Sequence, residues 1–131
     1  MRSPVIAIFV TLSAAATLAG GACSKGSQPS PEEDSQRSQA QAMYNAKCAR
    51  CHGADGAGNG PSADSLHPRP HNYTDPAWQA GVTDAQIKEI IVRGGINLGK
   101  SPAMPGNPTL KNHPEVLDGL VSLIRSFGKH P

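Results

Sequence analysis

The most apolar stretch of the chain comes first, and no later segment matches it. Residues 5–19 are uncharged and almost entirely apolar, behind a short basic start at Met1 and Arg2. Gly20, Gly21 and Ala22 then lead to Cys23. A basic start, an apolar run and a small-residue zone form the pattern of an export signal over residues 1–22. The run is too short and too alanine-rich for a membrane span, which needs about 20 apolar residues. Residues 24–38 carry no large apolar side chain. Such a stretch cannot offset its own ordering entropy, so residues 23–38 are expected to be a flexible polar tether. The folded domain is expected over residues 39–131.

Helical periodicity begins there. Residues 38–51 are rich in Ala, Gln and Lys and place Met43, Tyr44 and Lys47 at helical spacing. Four glycines and Pro61 make residues 53–61 a loop, and Pro68, Pro70 and Pro76 predict irregular chain over 62–80. Thr83 can cap a second helix, with Gln86 placed as in a capping box. Ile87, Ile90 and Ile91 form its inward stripe and Gly94-Gly95 ends it. A loop over 96–113 follows. Pro114 then opens a last helix with Leu117, Leu120, Val121 and Ile124 on one face. Nothing alternates as a strand would. The pattern predicts an all-α domain with long irregular loops.

Composition sharpens this in one respect. The chain has 131 residues, enough for one domain. Roughly 90 of them would fold, a size at which apolar burial alone is marginal. Beyond residue 38 the aromatic residues are Tyr44, Tyr73, Trp78 and Phe127. A large bound cofactor would supply the missing core. The net charge of +2 is too small to argue for nucleic acid.

The three cysteines carry the chemistry. Cys48-Ala49-Arg50-Cys51-His52 is C-x-x-C-H, the attachment pattern of a c-type haem. Two thiols on one helical turn can add to the two vinyl groups of one porphyrin, and the next imidazole can reach the iron. Three other readings compete. A redox dithiol usually follows a strand, and none precedes Cys48. A disulfide at this spacing closes a tiny loop and constrains little. Cys48 and Cys51 with His67 and His71 formally satisfy a zinc spacing. That zinc reading is opposed by Pro68 and Pro70, which break the helix such histidines need. Haem is the expected cofactor, one per chain, covalent, with iron on His52.

An electron-carrying iron wants a second axial ligand. The candidates are Met43, Met104, His67, His71, His113 and His130. Met43 lies on the helix of the motif itself, and His130 is in the tail. Met104 sits between Pro102 and Pro105 in a stiffened loop, which suits a weak thioether bond. Met104 is preferred, with His71 and His113 remaining as alternatives.

From residue 39 to 127 this order resembles the class I c-type cytochromes, in particular the short bacterial mono-haem type. The resemblance implies an N-terminal helix crossing the C-terminal helix, with Met43 and Tyr44 against residues 120–124. It implies that the carbonyl of Pro61 accepts a hydrogen bond from the His52 ring, and that Arg69, Tyr73 and Trp78 contact the haem propionates. Where that family often carries an aromatic residue in the last helix, this chain has Leu123. Residues 18–23 resemble a bacterial lipoprotein signal, which implies a lipid on Cys23. Gly20 stands where such signals carry leucine, and an ordinary signal cut near Ala22 is the alternative.

The function these residues imply is single-electron transfer between redox proteins at or near a membrane. The protein would be exported, periplasmic or anchored through Cys23, and monomeric, and it would not be an enzyme by itself. A haem protein with a displaceable sixth ligand, such as a peroxidase or gas sensor, is a second reading. A zinc-stabilised binding module is a third.

Overall fold

The first helix starts earlier than its apolar pattern predicts. In the computed structural model, which describes residues 29–129, helix α1 covers Pro31–Lys47. Ser30 and Glu33 explain the early start. The Ser30 hydroxyl accepts from the Glu33 amide at 3.2 Å, and the Glu33 carboxylate accepts from the Ser30 amide at 2.7 Å. This reciprocal cap satisfies two backbone donors, and Pro31 at the first helical position has no amide to lose. Residues 31–38 are therefore helix and not tether. The proposed signal, Cys23 and His130 lie outside the described residues.

The helix expected over 38–51 is also divided. Cys48, at φ −110°, ends α1 and precedes a separate turn, α2, at Ala49–His52. The site motif thus rides on its own short turn. The chain then loops through a 3-10 turn at Ala63–Ser65 to α3, Pro76–Gly81. Asp75 caps α3 by accepting from the Ala77 amide at 2.9 Å. That short helix lies at the end of the stretch expected to be irregular throughout.

Helix α4, Asp84–Arg93, has the Thr83–Gln86 capping box that its sequence predicts. It buries Ile87, Ile91 and Val92, while Ile90 is only half-buried. Two 3-10 turns, Ile96–Leu98 and Pro108–Asn112, interrupt the following loop before α5, Pro114–Phe127. The second turn buries Leu110 among the residues of α4 and α5.

The core sits where α1 crosses α5. A Cβ on Gly119 would lie 2.8 Å from the Cβ of Ala40 and 3.3 Å from the carbonyl oxygen of Gln36. Only a residue without a side chain allows that approach. Tyr44 and Leu120 are fully buried beside it, and burying an aliphatic side chain such as that of Leu120 stabilises by about 1.5–3 kcal/mol. Leu123 is partly buried, and the aromatic partner in α5 is Phe127, one turn further on. Its ring centroid lies 5.3 Å from that of Tyr44. Among the described residues there is no strand, and no helix is long and apolar enough to cross a membrane.

Candidate functional site

Helix α1 delivers the motif, and hydrogen bonds finish it. The amides of Cys51 and His52 both donate to the Cys48 carbonyl, at 3.1 and 2.9 Å. This puts the two thiols and the imidazole on one tight turn. Both thiols are half-buried and unbridged. Burial, and secondarily the neighbouring Cys51, push the Cys48 thiol up to about 11, so it is held as S–H. The Tyr44 hydroxyl donates to the Gly53 carbonyl at 2.8 Å, tying the buried centre of α1 to the residue after the motif.

The His52 ring is buried, and its two nitrogens face different partners. Nδ1 lies 3.3 Å from the carbonyl oxygen of His71, and Nε2 lies 3.1 Å from the Tyr73 hydroxyl. A carbonyl can only accept, so Nδ1 carries the proton. Nε2 therefore accepts from the tyrosine. Burial holds the imidazole below its ordinary value, outweighing the His71 carbonyl, which favours the protonated ring. The result is a neutral ring with Nε2 as its lone-pair donor, the form a metal requires.

The carbonyl on Nδ1 belongs to His71 and not to Pro61. The cause lies in the glycine loop after the motif. The amides of Gly58, Gly60 and Ser62 donate back to the carbonyls of His52, Cys51 and Arg50 at 2.8, 3.2 and 3.0 Å. Gly60 lies so near the turn that a Cβ would meet the carbonyl oxygens of Ala49 and Arg50 at 2.5 Å. With the loop committed to these carbonyls, Pro61 is exposed. The next pass of the chain brings the His71 carbonyl to the imidazole instead.

Tyr73 is the closest aromatic neighbour of His52. Its ring stacks on the imidazole with centroids 4.5 Å apart and planes 12° apart. Trp78, half-buried, backs Tyr73 at 4.8 Å and lies 5.8 Å from the His71 ring. Arg69 does not join this group: it forms an exposed ion pair with Asp64 at 2.7 Å. Met104 is half-buried on its proline-flanked loop. Its carbonyl accepts from the Gly95 amide at 2.9 Å, and its amide donates to the Ser101 carbonyl at 3.2 Å. His67 and His71 close no ion site with the cysteines. Among the described residues no three His, Cys, Asp or Glu side chains gather to hold a metal.

The donor set fits haem c. Two unbridged thiols share a turn, the adjacent imidazole is neutral, and its Nδ1 is held by a carbonyl. The Tyr73 hydroxyl stands on the nitrogen iron would take and must give way to it. Two contributors escaped the sequence reading, the His71 carbonyl and the Tyr44 hydroxyl. The first is a backbone atom that any residue could supply, so side-chain identity does not signal it. The second is a tyrosine that its helical position marks only as core.

The family model described as cytochrome c oxidase, cbb3-type, subunit III matches residues 35–123. No curated protein matches the chain.

Proposed function

We infer that this chain, which belongs to the cbb3-type cytochrome c oxidase subunit III family of c-type cytochrome domains, carries single electrons between redox proteins at a membrane. The family binds haem c covalently, and its chemistry is haem-based electron transfer. When bound, haem c supplies a one-electron couple between ferric and ferrous iron. The observation that carries the reading is the single turn that presents both thiols beside a neutral imidazole.

Each residue then has a part. Cys48 and Cys51 would hold haem c through two thioethers, each thiol giving its sulfur to one carbon of a vinyl group and its hydrogen to the other. His52 offers Nε2 to the iron, and the His71 carbonyl fixes its tautomer. Met104 would be the second residue to hold the iron, on a loop whose prolines and backbone clasp reduce the entropy a weak thioether bond must overcome. With His52 and Met104 both supplied by the protein, the site would need little rearrangement to take up or release an electron. Trp78 and Tyr73 wall the site, whereas Arg69 is paired with Asp64 and Pro61 is exposed. Residues 1–22 direct export, and Cys23 carries a lipid that holds the domain at the periplasmic face of a membrane. The expected tether of residues 23–38 is shortened by α1, which begins at Pro31. The donor and acceptor are redox proteins, which the domain meets as a monomer.

The test is the visible spectrum of protein matured in a haem-attaching host, oxidised and then reduced. A sharp low-spin c-type spectrum with the weak red band of methionine on ferric iron is expected. A c-type spectrum lacking that band would replace Met104 by a histidine, or leave a displaceable position suited to a sensor or peroxidase. No haem absorption would overturn the reading.

A further inference from the structure

One amide joins the far end of the C-terminal helix to the ring beside His52. The side-chain nitrogen of Gln79, in α3, donates to the Tyr73 carbonyl at 2.7 Å and to the Ile124 carbonyl at 2.9 Å. Its side-chain oxygen accepts from Arg125 at 2.9 Å. The same guanidinium donates to the carbonyls of Gln79 and Val82 at 2.7 and 2.6 Å, and to the Asp84 carboxylate at 2.8 Å. Arginine only donates, so the amide oxygen must face Arg125 and the nitrogen must face the two carbonyls. The orientation of Gln79 is thus set by chemistry.

This matters because of what Tyr73 touches. Its amide donates to the Gly56 carbonyl at 2.7 Å, on the loop that follows the haem motif. Its carbonyl is held by Gln79. The Tyr73 backbone is therefore pinned from both sides, and its buried ring packs among those of His52, Trp78 and Phe127.

We propose that Gln79, oriented by Arg125, is a positioning residue for the haem ligand. It holds Tyr73, and Trp78 behind it, against the His52 imidazole, so the last turn of α5 helps set the surroundings of the iron. The proposal rests on the reading that haem is bound through His52. Its physical lever is burial and local polarity, two of the means by which a protein tunes a haem potential. A loosened Tyr73 segment admits water beside the ring and favours the ferric charge, lowering the potential.

The experiment compares haem-loaded wild type with Gln79→Leu, Arg125→Lys and Asp84→Asn. The readouts are the midpoint potential and the paramagnetically shifted NMR signals of the haem methyls and the His52 ring. Gln79→Leu is expected to keep a c-type absorption spectrum, lower the potential and move the His52 signals. Arg125→Lys, which keeps the charge but loses the fork, should do the same to a smaller degree. Asp84→Asn touches only the exposed side of the guanidinium and should move neither. If Gln79→Leu does not fold, Arg125→Lys decides by the same readouts. Variants that lose thermal stability while potential and NMR signals stay at the wild-type positions would overturn the proposal and make Gln79 a structural residue only. A wild-type protein without covalent haem would instead overturn the haem reading, and this inference with it.

Discussion

The α1–α5 crossing and the loops around His52 are built by opposite means. At the crossing, side chains do the holding: Tyr44, Leu120, Val121 and Ile124 are buried, and Gly119 lets the two helices approach. Around His52, backbone does it. The Gly58, Gly60 and Ser62 amides return to the carbonyls of the motif turn, and the His71 carbonyl holds the imidazole. A packed core loses free energy smoothly as atoms are removed. A loop laid on backbone carbonyls has no such reserve, but a small displacement there moves a ligand. Changes at the first place should therefore appear as stability, and changes at the second as altered chemistry.

The largest expected effect is on the side-chain region. Leu120→Ala removes a fully buried side chain at the crossing and should cost about 2–5 kcal/mol in chemical denaturation. The axial ligands should not notice, so the absorption spectrum of the folded haem protein should match wild type. A shifted spectrum would mean that the crossing and the site are one mechanical unit, and the contrast between them would fail. Gly60→Ala probes the other side. The added Cβ meets two backbone oxygens at 2.5 Å, and backbone cannot rotate away as a flexible side chain can. A cost of about 1–3 kcal/mol is expected, as for overpacking, together with altered ligand signals in the NMR spectrum. Unchanged ligand signals would show that the loop only covers the motif.

Tyr44→Phe sharpens the comparison, because this residue belongs to both regions. The variant keeps the ring in the core but leaves the Gly53 carbonyl without its 2.8 Å donor. About 1 kcal/mol should be lost. The loss should come with increased hydrogen exchange at Gly56 and Gly58, whose amides bond within the loop that Gly53 opens. Exchange confined to α1 would place the effect in the core alone.

The same contrast decides what could be read from the sequence. Helix α5 was legible because its apolar residues repeat at helical spacing and are buried for that reason. Cys48, Cys51 and His52 were legible because attachment chemistry demands those side chains at that spacing. The His71 carbonyl was not, since which carbonyl meets Nδ1 depends on how a glycine loop folds back. Pro61 was favoured by resemblance, yet here the loop spends its hydrogen bonds on the motif turn and leaves the proline exposed. The Gln79 clamp joins residues far apart in sequence, and no local pattern marks it. The start of α1 is a different case. Ser30, Pro31 and Glu33 spell a capping box, but they sit in a stretch without apolar residues, where helical periodicity leaves no trace.

That first turn of α1 is held by neither buried side chains nor a folded-back loop, and its smaller effect should depend on pH. The Glu33 carboxylate lies below its ordinary value, first because it accepts from the Ser30 amide, then through the Ser30 hydroxyl and the Arg37 charge. The folded state thus binds its proton less readily than the unfolded chain does. Stabilisation of this kind is present above the ordinary glutamate value and is lost as pH falls through the lower folded one. Acidification from about pH 6 to about pH 3 should therefore fray the first turn. The Ser30 and Glu33 amide signals should shift and exchange faster, while those of Leu120 and Ile124 hold. Added salt should weaken the effect, because the carboxylate is exposed. Glu33→Gln retains an oxygen that can accept from Ser30 but removes the charge, so it should keep the helix start and abolish its pH dependence in this range. If wild type and Glu33→Gln fray alike on acidification, the cap does not depend on the charge, and Ser30 with Pro31 suffices to start α1.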